Sequence, residues 1–146
     1  MSQSTKTWSH TEPRRGRKLV TWRNTGAVAL FLYGTTFLWL TAAFAGTPNP
    51  PAGTAWSITN VLAIATILGF SVAAWGVYKV TSWWDRLAIG SAVFGFAPLI
   101  PYWVAAHTVS GSGNAAFVIA IHVIGNAAVL LLLLVPALEH WVRDRL

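Results

Sequence analysis

NTGAVALFLYGTTFLWLTAAFAGTPNPPAGTAWSITNVLAIATILGFSVAAWGVY, residues 24–78, contains no Asp, Glu, Lys or Arg. A soluble domain carries about 25% charged residues, so a stretch this long with none belongs in lipid. It divides once, at Gly46-Thr47-Pro48-Asn49-Pro50-Pro51-Ala52-Gly53, where each proline lacks the amide proton a helix needs and clashes with its preceding turn. A helical crossing of the hydrocarbon core takes about 20 apolar residues, and each half supplies roughly that number. The apolar residues run on without alternating, which selects helices over the strands of a barrel.

Residues 87–138 repeat the pattern, free of charge and divided once at Ser110-Gly111-Ser112-Gly113-Asn114. The expected spans are about 24–45, 56–78, 86–107 and 115–138. The fold class is therefore an all-α integral membrane protein, an antiparallel four-helix bundle. A basic arm, residues 1–23, precedes the transmembrane domain of residues 24–142, and residues 143–146 form a tail. The whole chain is 55% hydrophobic and 10% charged, which excludes intrinsic disorder. It has no Cys, which excludes a disulfide scaffold, thiol redox chemistry and iron–sulfur ligation.

Orientation follows from the basic residues. Lys6, Arg14, Arg15, Arg17, Lys18 and Arg23 precede the first span, Lys79 and Arg86 flank the middle connection, and Arg143 and Arg145 close the chain. Four spans put all of these on one side, and basic residues are retained in the cytoplasm. Both termini are expected inside the cell, with the chain in the inner (plasma) membrane. Trp22, Trp83, Trp84 and Trp141 then mark the inner boundary and Trp56, Tyr102 and Trp103 the outer one, as amphipathic rings at headgroup depth should. Ala43-Phe44-Ala45 has the small-residue form of a signal cleavage site, but the apolar stretch 27–45 exceeds the 7–15 residues usual in a signal peptide. A retained span is the better reading.

Arg14, Arg15, Arg17, Lys18 and Arg23 are expected on anionic lipid headgroups, worth about 1 kcal/mol per basic residue near the surface. The arm has no recognition fold or stacking platform, so no nucleic-acid partner is expected. No G-x-S-x-G elbow, H-E-x-x-H or phosphate loop is present. Neither apolar tract holds a carboxylate, which argues against a carrier driven by an embedded acid. No catalytic residue, cofactor or metal is expected.

The polar groups left inside the spans are few. His122 and Asn126 share a face of the fourth span, Asn60 lies one turn into the second, and Tyr33 sits mid-way along the first. Pro98 and Pro101 should kink the third span and free upstream carbonyls. Asn60, Pro98, Tyr102 and His122 fall at comparable depth in the outer half, which places a polar-lined ligand pocket there. His122, Asn126, Asn60, Tyr102 and Tyr33 are its candidate residues; interhelical hydrogen bonding is the simpler use of the same groups. Ala65, Gly69 and Ala73, and Ser91 and Gly95, recur at four-residue spacing and suit close helix contact within the chain or with another. Glu139 and Arg143 are placed to pair at i, i+4.

Ala74-Trp75-Gly76-Val77-Tyr78, Trp83-Trp84-Asp85-Arg86, Pro101-Tyr102-Trp103 and Leu133-Leu134-Val135-Pro136-Ala137-Leu138-Glu139 resemble small four-span membrane proteins of actinobacteria, the DoxX-like and similar chains. The resemblance covers about residues 55–142 and implies a four-helix inner-membrane protein. It carries over no functional residue. The expected role is structural or accessory and non-enzymatic, with membrane lipids as partners and with self-association or a membrane-protein partner. The alternative is binding or transport of a lipid, quinone or other apolar small molecule in an outer-half cavity near His122.

Overall fold

A computed structural model describes residues 21–41, 53–107 and 114–145. The described residues are helical and contain no strand. The elements are α1 (Trp22–Thr35), a 3-10 turn (Thr36–Leu40), α2 (Thr54–Lys79), α3 (Trp84–Phe94), α4 (Leu99–His107), α5 (Ala115–Leu134) and α6 (Pro136–Arg143). Three runs among them are long and apolar enough to cross a membrane: Thr54–Lys79, Trp84–His107 and Ala115–Leu134.

The helix ends follow local chemistry. The Thr21 hydroxyl caps α1 by accepting from the Asn24 N–H at 3.2 Å. α2 closes in a Schellman turn, with the Thr81 N–H on the Gly76 carbonyl at 3.0 Å and the Val80 N–H on Val77 at 3.2 Å. That turn holds Val80 at φ 56°, a left-handed conformation costly for a β-branched residue. Asp85 occupies the first turn of α3, where a carboxylate suits the positive end of the helix dipole.

The third expected span is interrupted, as its prolines require. Between Phe94 and Leu99 the backbone turns through i→i+3 bonds, Ala97 to Phe94 at 2.9 Å and Leu99 to Phe96 at 3.2 Å. Pro98 precedes α4 and Pro101 lies in its first turn, where a missing N–H costs nothing. The last span is shorter than expected. α5 stops at Leu134, Val135 is extended, and Pro136 opens α6. The cause is steric, since Pro136 pushes the preceding residue out of the helical region.

α1 packs along α2, α2 along α3 and α4, and α3 against α5, while the 3-10 turn reaches both α2 and α5. The surface is inverted relative to a soluble protein. Ile100, Ile124 and Val61 are 73%, 68% and 68% exposed, whereas His122, Asn126, Thr59 and Thr66 are buried. An apolar exterior of this extent suits lipid and not water. Thr59 and Thr66 satisfy their hydroxyls on their own helix, on Ala55 at 2.8 Å and Leu62 at 2.9 Å.

Small residues set the helix spacing. A Cβ at Gly34 would lie 2.6 Å from Phe70 Cβ, one at Gly69 would meet the Ser91 hydroxyl, and one at Gly95 would lie 2.8 Å from Asn126 Nδ2. Ala73 is buried beside Ala88 and Leu133. The small-residue rows therefore serve mainly contacts inside the chain, with Ala65 left exposed. Trp39 and Trp75 are both exposed and fill no gap between the helices.

Candidate functional site

His122 and Asn126, one turn apart on α5, are both 0% exposed. They share one face of α5, as their spacing predicts, and that face meets the first helix and the 3-10 turn. The Tyr33 hydroxyl is the hub: it donates to Asn126 Oδ1 at 2.8 Å and lies 3.2 Å from the His122 carbonyl. One phenolic proton thus has two acceptors. Asn126 Nδ2 is buried with no partner and abuts Gly95. A half-turn of the amide would exchange its ends, so that nitrogen donates to Tyr33 and the Tyr33 proton passes to the His122 carbonyl. Either orientation keeps Tyr33 at the centre.

The imidazole is oriented by its own helix. Nδ1 lies 2.7 Å from the Val118 carbonyl, which only accepts, so Nδ1 carries a proton. Nε2 faces the Thr36 hydroxyl at 3.3 Å. Thr36 itself donates to the Tyr33 carbonyl at 2.6 Å. The edge of Phe37 closes over the imidazole, ring centroids 4.5 Å apart, and Tyr33 meets Phe70 edge-to-face at 5.2 Å. The cluster ties the first helix to α5 through groups that lipid cannot satisfy.

Of the expected pocket residues, the structure brings His122, Asn126 and Tyr33 together. Tyr102 is stacked on Trp56, ring centroids 6.1 Å apart, and Asn60 is half-buried on α2. Arg14, Arg15, Arg17 and Lys18 lie outside the described residues, and Arg23 stands in the first turn of α1. Among the described residues no three His, Asp or Glu side chains gather as a metal site would need. Thr36 escaped the sequence reading because threonines within helices usually bond their own backbone, as this one also does.

His122→Leu and Tyr33→Phe should separate the two kinds of polar group. Leucine at 122 orphans nothing: the Val118 carbonyl is already engaged by the helix ladder and Thr36 keeps the Tyr33 carbonyl. Phenylalanine at 33 leaves buried Asn126 without its side-chain partner. Thermal unfolding in detergent should show a change below about 1 kcal/mol for the first and a loss of about 1–3 kcal/mol for the second. The reverse order would remove Tyr33 from its place as hub.

A cavity of about 330 Å³ lies elsewhere, between α1 and the α5–α6 corner. Tyr33 lines it, but His122, Asn60 and Tyr102 do not. The face of α1 that borders it carries Trp22, Gly26, Ala29, Leu30 and Tyr33, and the small Gly26 and Ala29 leave the hollow. Val77 and Ala88, both buried, form its floor, while Trp22, Leu132 and Trp141 are exposed at its rim. The 3–4-residue spacing of the α1 face was visible in sequence, but nothing there shows that the facing helix stands off. The cavity is thus at the end holding Trp22, Trp84 and Trp141, opposite to the end where the polar residues placed it.

α6 forms one wall of this cavity. Arg143 on α6 pairs with Asp85 on α3, and with Glu139 one turn back at 2.8 Å. Glu139 first, and then Asp85, hold the Arg143 guanidinium above its ordinary range, so it stays charged. Neither a family model, nor a curated protein, nor a solved structure matches the chain.

Proposed function

We propose that the chain is a four-span inner-membrane protein, an antiparallel helix bundle with both termini cytoplasmic, that holds an apolar small molecule such as a lipid or quinone. What carries the reading is the cavity: its volume lies within the range of about 300–1,000 Å³ typical of small-molecule sites, and its wall is almost wholly apolar. The polar cluster behind Tyr33 supplies rigidity to one wall and has its own internal bonds. No chemistry is asked of it, and the role is non-enzymatic. The four-span arrangement is supported by the aromatic residues. Of those expected at one boundary, Trp22, Trp84 and Trp141, without Trp83, line one cavity, and of those expected at the other, Trp56 and Tyr102, without Trp103, stack together. The first span would be completed by α1 and the 3-10 turn, 14 and five residues.

The test is the content of the purified protein. Organic extracts of the wild type should yield an apolar molecule near one per chain by mass spectrometry. Ala29→Phe, which fills the hollow, should carry almost none while matching the unfolding temperature of the wild type once both are delipidated. Equal amounts in both proteins, or none in either, would defeat the reading. The accessory role within a larger assembly is the second reading. It is favoured by the face of α2 that carries Val61, Ala65, Leu68 and Val72, all left exposed among the described residues.

A further inference from the structure

The two ends of the cavity differ in chemistry. At the deep end Tyr33 presents its ring, with the hydroxyl committed to Asn126. At the other end stand Trp22, Trp84, Trp141 and one cation, Arg145. The Arg145 guanidinium lies over the Trp141 ring, 4.2 Å from its centroid, and donates to the Trp141 carbonyl at 3.4 Å. Among the described residues the ion pairs engage Arg143 alone, which occupies both Asp85 and Glu139. Asp144, next in the chain, is exposed and does not line the cavity. Among the described residues no carboxylate is therefore set against Arg145, which lines the cavity just beyond the end of α6, and the Arg143–Asp85 pair ties α6 to α3.

The floor of the cavity is buried, and its exposed lining residues, Trp22 on α1, Leu132 on α5 and Trp141 on α6, are apolar or aromatic side chains on the flank of the helices, which suits a lateral mouth. An occupant would enter from the bilayer. A neutral apolar molecule would bring no anion to the cation at the rim, whereas a lipid with a negative headgroup matches both ends of the site. The lateral mouth also lets a second chain remain in the bilayer. We infer that the cavity takes one acyl chain of an anionic phospholipid, with the headgroup phosphate against Arg145. This rests on the ligand-binding reading above and adds to it the class of ligand and the residue that selects it.

The full-length protein, delipidated in neutral detergent, can be titrated with phosphatidylglycerol and with phosphatidylcholine of the same acyl chains, reading complexes by native mass spectrometry and unfolding temperature. Both lipids should bind, phosphatidylglycerol about fivefold more tightly, the factor one basic residue supplies near an anionic headgroup. Arg145→Ala should bring phosphatidylglycerol to the level of phosphatidylcholine. Arg86→Ala, at an exposed cation outside the cavity, should keep the preference, and Ala29→Phe should lose both lipids. Equal binding of the two lipids by the wild type, or a preference that survives Arg145→Ala, overturns the anionic assignment and leaves the apolar-ligand reading standing. Binding of neither lipid overturns the assignment, and the absence of any molecule in extracts overturns the reading beneath it. A preference lost equally in Arg86→Ala would show a diffuse surface charge and not a site.

Discussion

Gly34→Leu should leave no monodisperse, assembled protein in detergent, and Gly34→Ala should already cost about 2 kcal/mol, within the range for an overfilled interior. The built Cβ lies 2.6 Å from Phe70 Cβ, an atom that cannot move without its backbone. Phe70 is fully buried against Tyr33 and Phe37, so α1 must lift from α2. Gly90→Ala is the matched control. It is exposed in α3 with nothing within 4 Å of the new carbon, and alanine gains about 1 kcal/mol of helix propensity there. Size-exclusion profiles and unfolding temperatures of the three variants check the contrast. A well-assembled Gly34→Leu would mean that α1 and α2 do not cross as described.

The second large effect is all-or-none. Reporter fusions after Pro51, Lys79, Ser112 and Leu146 should read outside, inside, outside and inside. The basis is the confinement of every Lys and Arg to three segments, residues 6–23, 79–86 and 143–145, which an even number of spans collects on one face. An external reading at Leu146 would refute the four-span arrangement, and with it the assignment of the Trp22–Trp141 end to the inner leaflet.

Much of this architecture is legible in residue types. The charge-free tract announced apolar helices that lipid would suit: its second half forms α2, long and apolar enough to cross a membrane, and its first half forms α1 and the 3-10 turn. Pro98 announced the division of the third expected span, and the i, i+4 spacing of His122 and Asn126 announced that they share a face. The failures share one cause. Asn60, Tyr102 and His122 fall at one depth, but depth along a helix says nothing of the direction around its axis, which packing fixes. The cavity was hidden for the same reason, since it arises from α1 and α5 standing apart and not from any residue that marks it. Pro136 could have been read as the end of α5; the apolar run through Leu138 concealed it.

The bonds from Tyr33 to Asn126 and from Thr36 to His122 join residues 93 and 86 positions apart. During synthesis the first helix is made long before its partner exists, so the cluster is among the last parts of the bundle to close. The Thr36 hydroxyl has the Tyr33 carbonyl within its own segment to donate to, but the Tyr33 phenol finds its acceptors on α5. The order of insertion therefore leaves the first helix polar on one face and dependent on the last for its completion, the situation in which a truncated or slowly finished chain exposes that face to other proteins in the membrane.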